Sequence, residues 1–243
     1  MPLKDVTPLI KPAVRCALPD LSHLHCEDFE AVYEPSDDTF LLLDALASDV
    51  ACLRGQLPGV CLELGSGSGA VITGLSQILS RAGVPGSAAA LMATDLNPAA
   101  NAASARTAAA NGASVQVLNM DLLHALRPGV IDVLVFNPPY VPTSLEEAVQ
   151  GQSSADLYAA WAGGPKGRVV LDRLLPTIGA LLSPSGVFYL LGVRDNDPDD
   201  LARYFEAHFH MHPVIIAERR AQNERLFVMR VSRAPQPPPL LSS

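Results

Sequence analysis

Runs of lysine or arginine are missing from this 243-residue sequence, in which 17 basic residues stand against 25 acidic ones for a formal charge of −8. Without a basic stretch there is no electrostatic footprint for a phosphate backbone, so nucleic acid is a disfavoured partner. Cysteine is scarce and scattered: Cys16, Cys26, Cys52 and Cys61 form no C-x-x-C pair. That argues against a zinc knuckle and a disulfide framework, and fits a reducing, cytoplasmic setting, with the nucleus equally open. His23, His25 and Cys26 lie close together but have no further ligands at zinc spacing, so no metal is expected. No apolar run approaches the ~20 residues needed to span a bilayer. The opening "MPLKDVTPLIKPAVR" is broken by charge and proline where a signal peptide needs an uninterrupted apolar segment. The expectation is a soluble protein with no membrane partner. There is no internal repeat.

What is present is apolar material, 49% of residues, enough to fill the core of one α/β domain. Short apolar runs alternate with helical patterns. "GVCLEL", "ALMATD", "VQVLN", "IDVLVF" and "GVFYLLGV" read as strands, and the segments between them as helices with glycine, asparagine or proline at their ends. Strands apolar on both faces and joined by helices predict a mostly parallel sheet covered on both sides. "HPVIIAERR" and "RLFVMRVS", joined by "AQNE", predict an antiparallel pair at one end of that sheet. Residues 1–30 read as an N-terminal extension and 31–233 as the domain. Residues 234–243, rich in proline, read as a disordered tail.

In an open α/β sheet ligands bind beyond the carboxyl ends of the parallel strands, and four polar stations fall there. The first is Glu63 followed by Gly65, Gly67 and Gly69, where missing side chains permit a tight turn and close approach of a ligand to the backbone. The spacing is neither the G-x-G-x-x-G of dinucleotide binders nor a triphosphate loop, for no Gly-Lys-Ser/Thr follows. Asp95 in "ATDLN" is placed to accept from two ribose hydroxyls, and Asp121 in "NMDLL" to accept from an adenine amino group beside the backbone of Leu122. Any one acid alone could equally cap the next helix. The fourth station is Asn137.

The stretch "FNPPY", residues 136 to 140, gives these stations a chemistry. An amide or amino nitrogen is a poor nucleophile because its lone pair is delocalised, so alkylating it requires that both N–H bonds be held and the lone pair aimed. The side-chain carbonyl of Asn137 and the main-chain carbonyl of Pro138 supply two acceptors. Pro138 and Pro139 stiffen the loop with φ near −65° and add no competing N–H, and Tyr140 offers a ring face to a planar group. Catalysis of this kind is positioning and electrostatics. In the long connection from Tyr140 to Arg168, Trp161 is either a substrate-facing anchor or a residue that packs the loop on the body.

"LELGSGSG", "ATDLN", "NMDL" and "FNPPY" together resemble the class I S-adenosylmethionine-dependent methyltransferases of the HemK type, which modify the glutamine side-chain amide of translation release factors. "YEPSDDTFLLLDAL" and "AAWAGGPKGRVVLDRLLP" resemble its eukaryotic and archaeal branch, catalytic subunits acting on a Gly-Gly-Gln motif. The resemblance covers residues 31 to 232 and implies a Rossmann-like class I methyltransferase fold with a seven-stranded sheet. It implies S-adenosylmethionine as cofactor, held by Thr39, Glu63, Gly65, Gly67, Gly69, Asp95, Leu96, Asp121, Leu122 and Asn137. The target glutamine would be held by Asn137, Pro138, Pro139 and Tyr140, with Tyr33 and Pro35 in an N-terminal lid. A heterodimer with a small zinc-binding activator that covers an apolar sheet edge is implied too. The competing readings are an adenine-N6 methyltransferase acting on a flipped base, a small-molecule methyltransferase, and an inactive cofactor-binding scaffold.

Overall fold

A computed structural model describes residues 10–84, 89–122, 126–154, 160–221 and 224–242. Seven strands form one sheet in the order β3-β2-β1-β4-β5-β7-β6. These are β1 (Val60–Leu64), β2 (Ala90–Asp95), β3 (Val115–Asn119), β4 (Ile131–Phe136), β5 (Leu182–Val193), β6 (His212–Ala221) and β7 (Glu224–Ser232). The first five run parallel, and β7 lies antiparallel to both β5 and β6. The α/β class, the strand count and the terminal antiparallel pair are those expected. Part of the turn at 221–224 lies outside the described residues.

The apolar runs of the central strands follow from burial on both faces. Along β4, Val133 and Val135 join the core under α2 (Asp37–Ser48), α3 (Val50–Gln56) and α4 (Ala70–Arg81). Leu134 and Phe136 point the other way, into the core under α7 (Val169–Leu181) and α8 (Pro198–Phe209). β5 repeats the alternation with Tyr189 and Leu191 against Phe188 and Leu190. β3 at the sheet edge departs from it, being half-buried or exposed throughout.

α5 (Pro98–Ala110) starts with Asn97 accepting from the Ala99 N–H, and packs Ala100 and Ala103 against Leu24 and Val32 of the N-terminal segment. That segment, which includes the single-turn α1 (Cys26–Phe29), crosses the domain face. Asn97 Nδ2 donates to the Ala31 carbonyl at 2.8 Å, and Arg106 pairs with Asp28. The described part of the proline-rich tail makes contacts with the N-terminal segment and the domain. Pro12 and Leu241 form an antiparallel bridge, Leu240 N donates to the Ser48 carbonyl, and Arg230 donates to the Pro237 carbonyl. Among the described residues no helix is long and apolar enough to cross a membrane.

Candidate active site

The carboxyl ends of β1, β2 and β4 open onto one cleft, roofed by Ala31, Val32 and Tyr33 of the N-terminal segment. β1 leads into the glycine turn. Gly65 and Gly67 have φ of +60° and +52°, and a side chain on Gly67 would meet nothing within 4 Å, so bare backbone faces the cleft there. Gly69 serves a different end. A Cβ on it would lie 2.6 Å from Ser104 Cα, so its bareness lets the start of α4 approach α5, and it does not line the cleft.

Asp95, at the tip of β2, accepts from Gly67 N with Oδ2 and from Asn97 N with Oδ1, both at 2.9 Å. Burial raises its carboxyl above the usual range, and the N–H groups of Asn97, Gly67 and Leu96 pull it back. Each carboxylate oxygen keeps a second lone-pair direction for a ligand. Glu63 is fully buried and accepts from Ile72 N at 2.7 Å, in the first turn of α4. Burial pushes it well above the carboxylate range, with the Asp95 charge adding to the rise and the Ile72 N–H opposing it. Asp121 lines the cleft from the opposite wall and pairs with Arg173 of α7 at 2.7 Å. Leu122 beside it adopts a left-handed φ of +52°.

β4 ends in the proline loop. Asn137 Nδ2 donates to Asp38 Oδ2 at 3.1 Å, and Tyr140 OH donates to the same oxygen at 3.1 Å. Asn137 Oδ1 is buried with no hydrogen-bond partner. Asp38, in the first turn of α2, is itself only 2% exposed. Burial raises the Tyr33 phenol to about 12, with the adjacent Asp38 charge the next contribution; Tyr140 is raised further for the same two reasons. Both phenols are therefore protonated donors at neutral pH.

The connection after Tyr140 is clamped to the loop. Val141 and Ala162 form a parallel bridge, with Val141 N donating to the Trp161 carbonyl and Gly163 N to the Val141 carbonyl. Side chains on Gly163 and Gly167 would fall 2.4 Å from the Pro139 carbonyl oxygen and 1.8 Å from that of Tyr140. Buried Asn196 locks the arrangement. Its Nδ2 donates to the carbonyls of Tyr140 at 3.0 Å and Lys166 at 2.8 Å, while its Oδ1 accepts from Val193 N at 2.7 Å. Asn196→Ala strands these buried groups and is expected to cost about 1–3 kcal/mol of stability. Thermal unfolding will read that loss, and turnover should fall while calorimetric cofactor affinity stays near wild type.

The methyltransferase small-domain model matches residues 37–152. Mouse methyltransferase HEMK2 is 42% identical over 219 residues, covering 89% of this chain and 96% of that protein. The eRF1 methyltransferase catalytic subunit mtq2 of Schizosaccharomyces pombe is 33% identical over 228 residues, covering 88% and 95%. The chain belongs to the HemK-type methyltransferases. Among solved structures, the E. cuniculi Mtq2–Trm112 complex, responsible for methylating the eRF1 termination factor, matches this HemK-type chain with TM-score 0.58 at 26% identity. The match covers 84% of this chain and 99% of that one.

Of the residues singled out in the sequence, Tyr33, Thr39, Glu63, Gly65, Gly67, Asp95, Leu96, Asp121, Leu122, Asn137, Pro139, Tyr140 and Trp161 line this cleft. Pro35, Gly69 and Pro138 do not. Pro35 sits half-buried before α2, and Pro138 is buried in the loop. Two residues of this HemK-type site were not anticipated, Asp38 and Asn196. For Asp38 a signal existed: with Leu41, Leu42 and Ala45 it occupies the i, i+3, i+4, i+7 stripe that turns inward, which an acid serving only to start a helix would avoid.

Proposed function

We propose that this chain transfers the methyl group of S-adenosylmethionine to the side-chain amide nitrogen of the glutamine in a release factor's Gly-Gly-Gln motif. It acts as the catalytic subunit of a heterodimer with a small zinc-binding activator. The likeness to the methyltransferase HEMK2, to the eRF1 methyltransferase subunit mtq2 and to the paired E. cuniculi assembly supports this reading. The observation that carries it is Asn137 Oδ1, a buried acceptor without a partner on the wall of the strand-end cleft. Such an oxygen is incomplete until a ligand N–H reaches it.

The cleft suits the cofactor. Asp95 presents spare lone pairs for two ribose hydroxyls, Gly65 and Gly67 offer bare backbone, and Thr39, Leu96, Asp121 and Leu122 complete the wall. Bound there, S-adenosylmethionine supplies an electrophilic methyl group on a sulfonium. The chain supplies position. Asn137 Oδ1 accepts one N–H of the target amide and the Tyr140 ring lies against the planar group, whereas Pro138, expected to supply the second acceptor, does not line the cleft. Holding the amide by that N–H and by its plane aims the nitrogen lone pair, and the proton leaves only after the new bond has formed, so no strong base is needed beforehand.

The decisive assay incubates the chain and its activator with labelled cofactor and either release factor or an oligonucleotide. Label is expected on the Gly-Gly-Gln glutamine and is lost when that glutamine is replaced by alanine. Label on the oligonucleotide in its place would favour the adenine reading and overturn this one.

A further inference from the structure

We propose that Asp38 is the positioning residue of the amide clamp, fixing which end of the Asn137 side chain faces the cleft. The inference deepens the function proposed above and rests on its assignment of Asn137 as the clamp.

A primary amide is nearly symmetric in shape but opposite in polarity at its two ends, so the space around Asn137 accepts either flip and only hydrogen bonding selects one. The clamp works in one orientation: the oxygen must face the substrate, for an NH2 group there would meet another NH2 group. Asp38 supplies the selection. Its Oδ1 is occupied within its own helix by Thr39 N at 2.6 Å and Thr39 Oγ1 at 3.2 Å. That leaves Oδ2 aimed across the cleft wall at Asn137 Nδ2 and Tyr140 OH. A carboxylate accepts and does not donate, so it draws the NH2 end of Asn137 and turns Oδ1 outward, where it is buried and unpartnered. Among the described residues that line the cleft there is no lysine or arginine, so hydrogen-bond donors alone surround the Asp38 carboxylate in that wall. A buried carboxylate is costly to keep unless its oxygens are hydrogen-bonded, and orienting the clamp is what this one does. Tyr140 is drawn into the same contact, which ties the first and last residues of the loop to one oxygen.

Asparagine at position 38 keeps the shape and removes the selection. With full chain, activator, release factor and labelled cofactor, Asp38→Asn is expected to lower kcat about 100-fold, as misplacing a reacting group does. KM for the release factor, calorimetric cofactor Kd and the unfolding temperature should stay near wild type. The exchange Asp38→Asn with Asn137→Asp restores the polarity: the amide at 38 donates to one oxygen of the carboxylate at 137, whose other oxygen faces the cleft. This double variant is expected to exceed the Asp38→Asn turnover about tenfold. Asp38→Asn turnover within threefold of wild type, a loss confined to cofactor Kd, or a double variant no better than Asp38→Asn would each overturn the proposal. A readout independent of substrate separates it from the function proposed above. The Asn137 side-chain NH2 resonance, assigned by its disappearance in Asn137→Asp, should shift in Asp38→Asn. An unshifted resonance overturns the role of Asp38 whatever the substrate is, whereas a wild-type chain that labels no glutamine overturns only the substrate.

Discussion

Asn137→Ala is expected to bind S-adenosylmethionine within about threefold of wild type and to lose turnover by about 10²–10³-fold, the range seen when one preorganised polar contact to the reacting group is removed. The separation follows from the geometry. The contacts that fit the cofactor best come from β1 and β2, with Gly65, Gly67, Asp95 and Leu96 on that side of the cleft. Asn137 stands at the end of β4 with its oxygen unpaired. Alanine removes the acceptor and also takes the Asn137 donor away from Asp38 Oδ2, on which the Tyr140 OH remains. The amide nitrogen of the target can then rotate, and its lone pair is no longer held toward the methyl group. Single-turnover kinetics with labelled cofactor and release factor checks the turnover, and calorimetry checks the binding. If turnover persisted at saturating cofactor, the loop would not be the clamp; if both quantities fell together, Asn137 would be a cofactor ligand first.

Much of this arrangement was legible in the residues, because the signals for it are local. The parallel sheet announces itself through strands such as Ile131–Phe136, whose two faces enter two different cores. The site announces itself through glycines, acids and an asparagine at consecutive strand ends. What stayed hidden is of two kinds. Elements with weak periodicity escaped: α6 (Leu145–Ser154) is mostly polar, and α3 is only seven residues long. β5 begins at Leu182, within a stretch that looks like a turn, because Ser183 Oγ donates to Asp132 Oδ1 at 2.6 Å and holds it to the sheet. The second kind is long-range. Asn196 lies 56 residues from the Tyr140 carbonyl it holds, and Asp38 lies 99 residues from Asn137. Residue type alone cannot pair such positions. Gly69 shows the converse error, since a glycine inside a ligand-binding motif can be required by a neighbouring helix, here by Ser104, without facing the ligand.

Asp95→Ala should have the largest effect on cofactor affinity, a weakening of about 100-fold or more. Each hydrogen bond to a charged group contributes about 1.5–3 kcal/mol, and two ribose hydroxyls would lose theirs. A second loss adds to it. In the folded chain Asp95 already organises the glycine turn through Gly67 N and the start of α5 through Asn97 N. Alanine leaves both N–H groups without that acceptor and loosens the backbone against which the cofactor would lie. Asp95→Asn separates the two contributions, since its one carbonyl oxygen can serve the turn or the ribose but not both, and its affinity should fall between wild type and alanine. The pH dependence has a definite sign. Burial raises the Asp95 carboxyl above its ordinary value. The ionised form, which accepts from the ribose, therefore predominates only above that raised value, and affinity declines as pH falls through it. In Asp95→Asn that decline should vanish. Calorimetric titrations across the acidic range test both points. A dissociation constant for Asp95→Ala within threefold of wild type would remove Asp95 from the cofactor site and leave it a residue that holds Asn97 and shapes the turn.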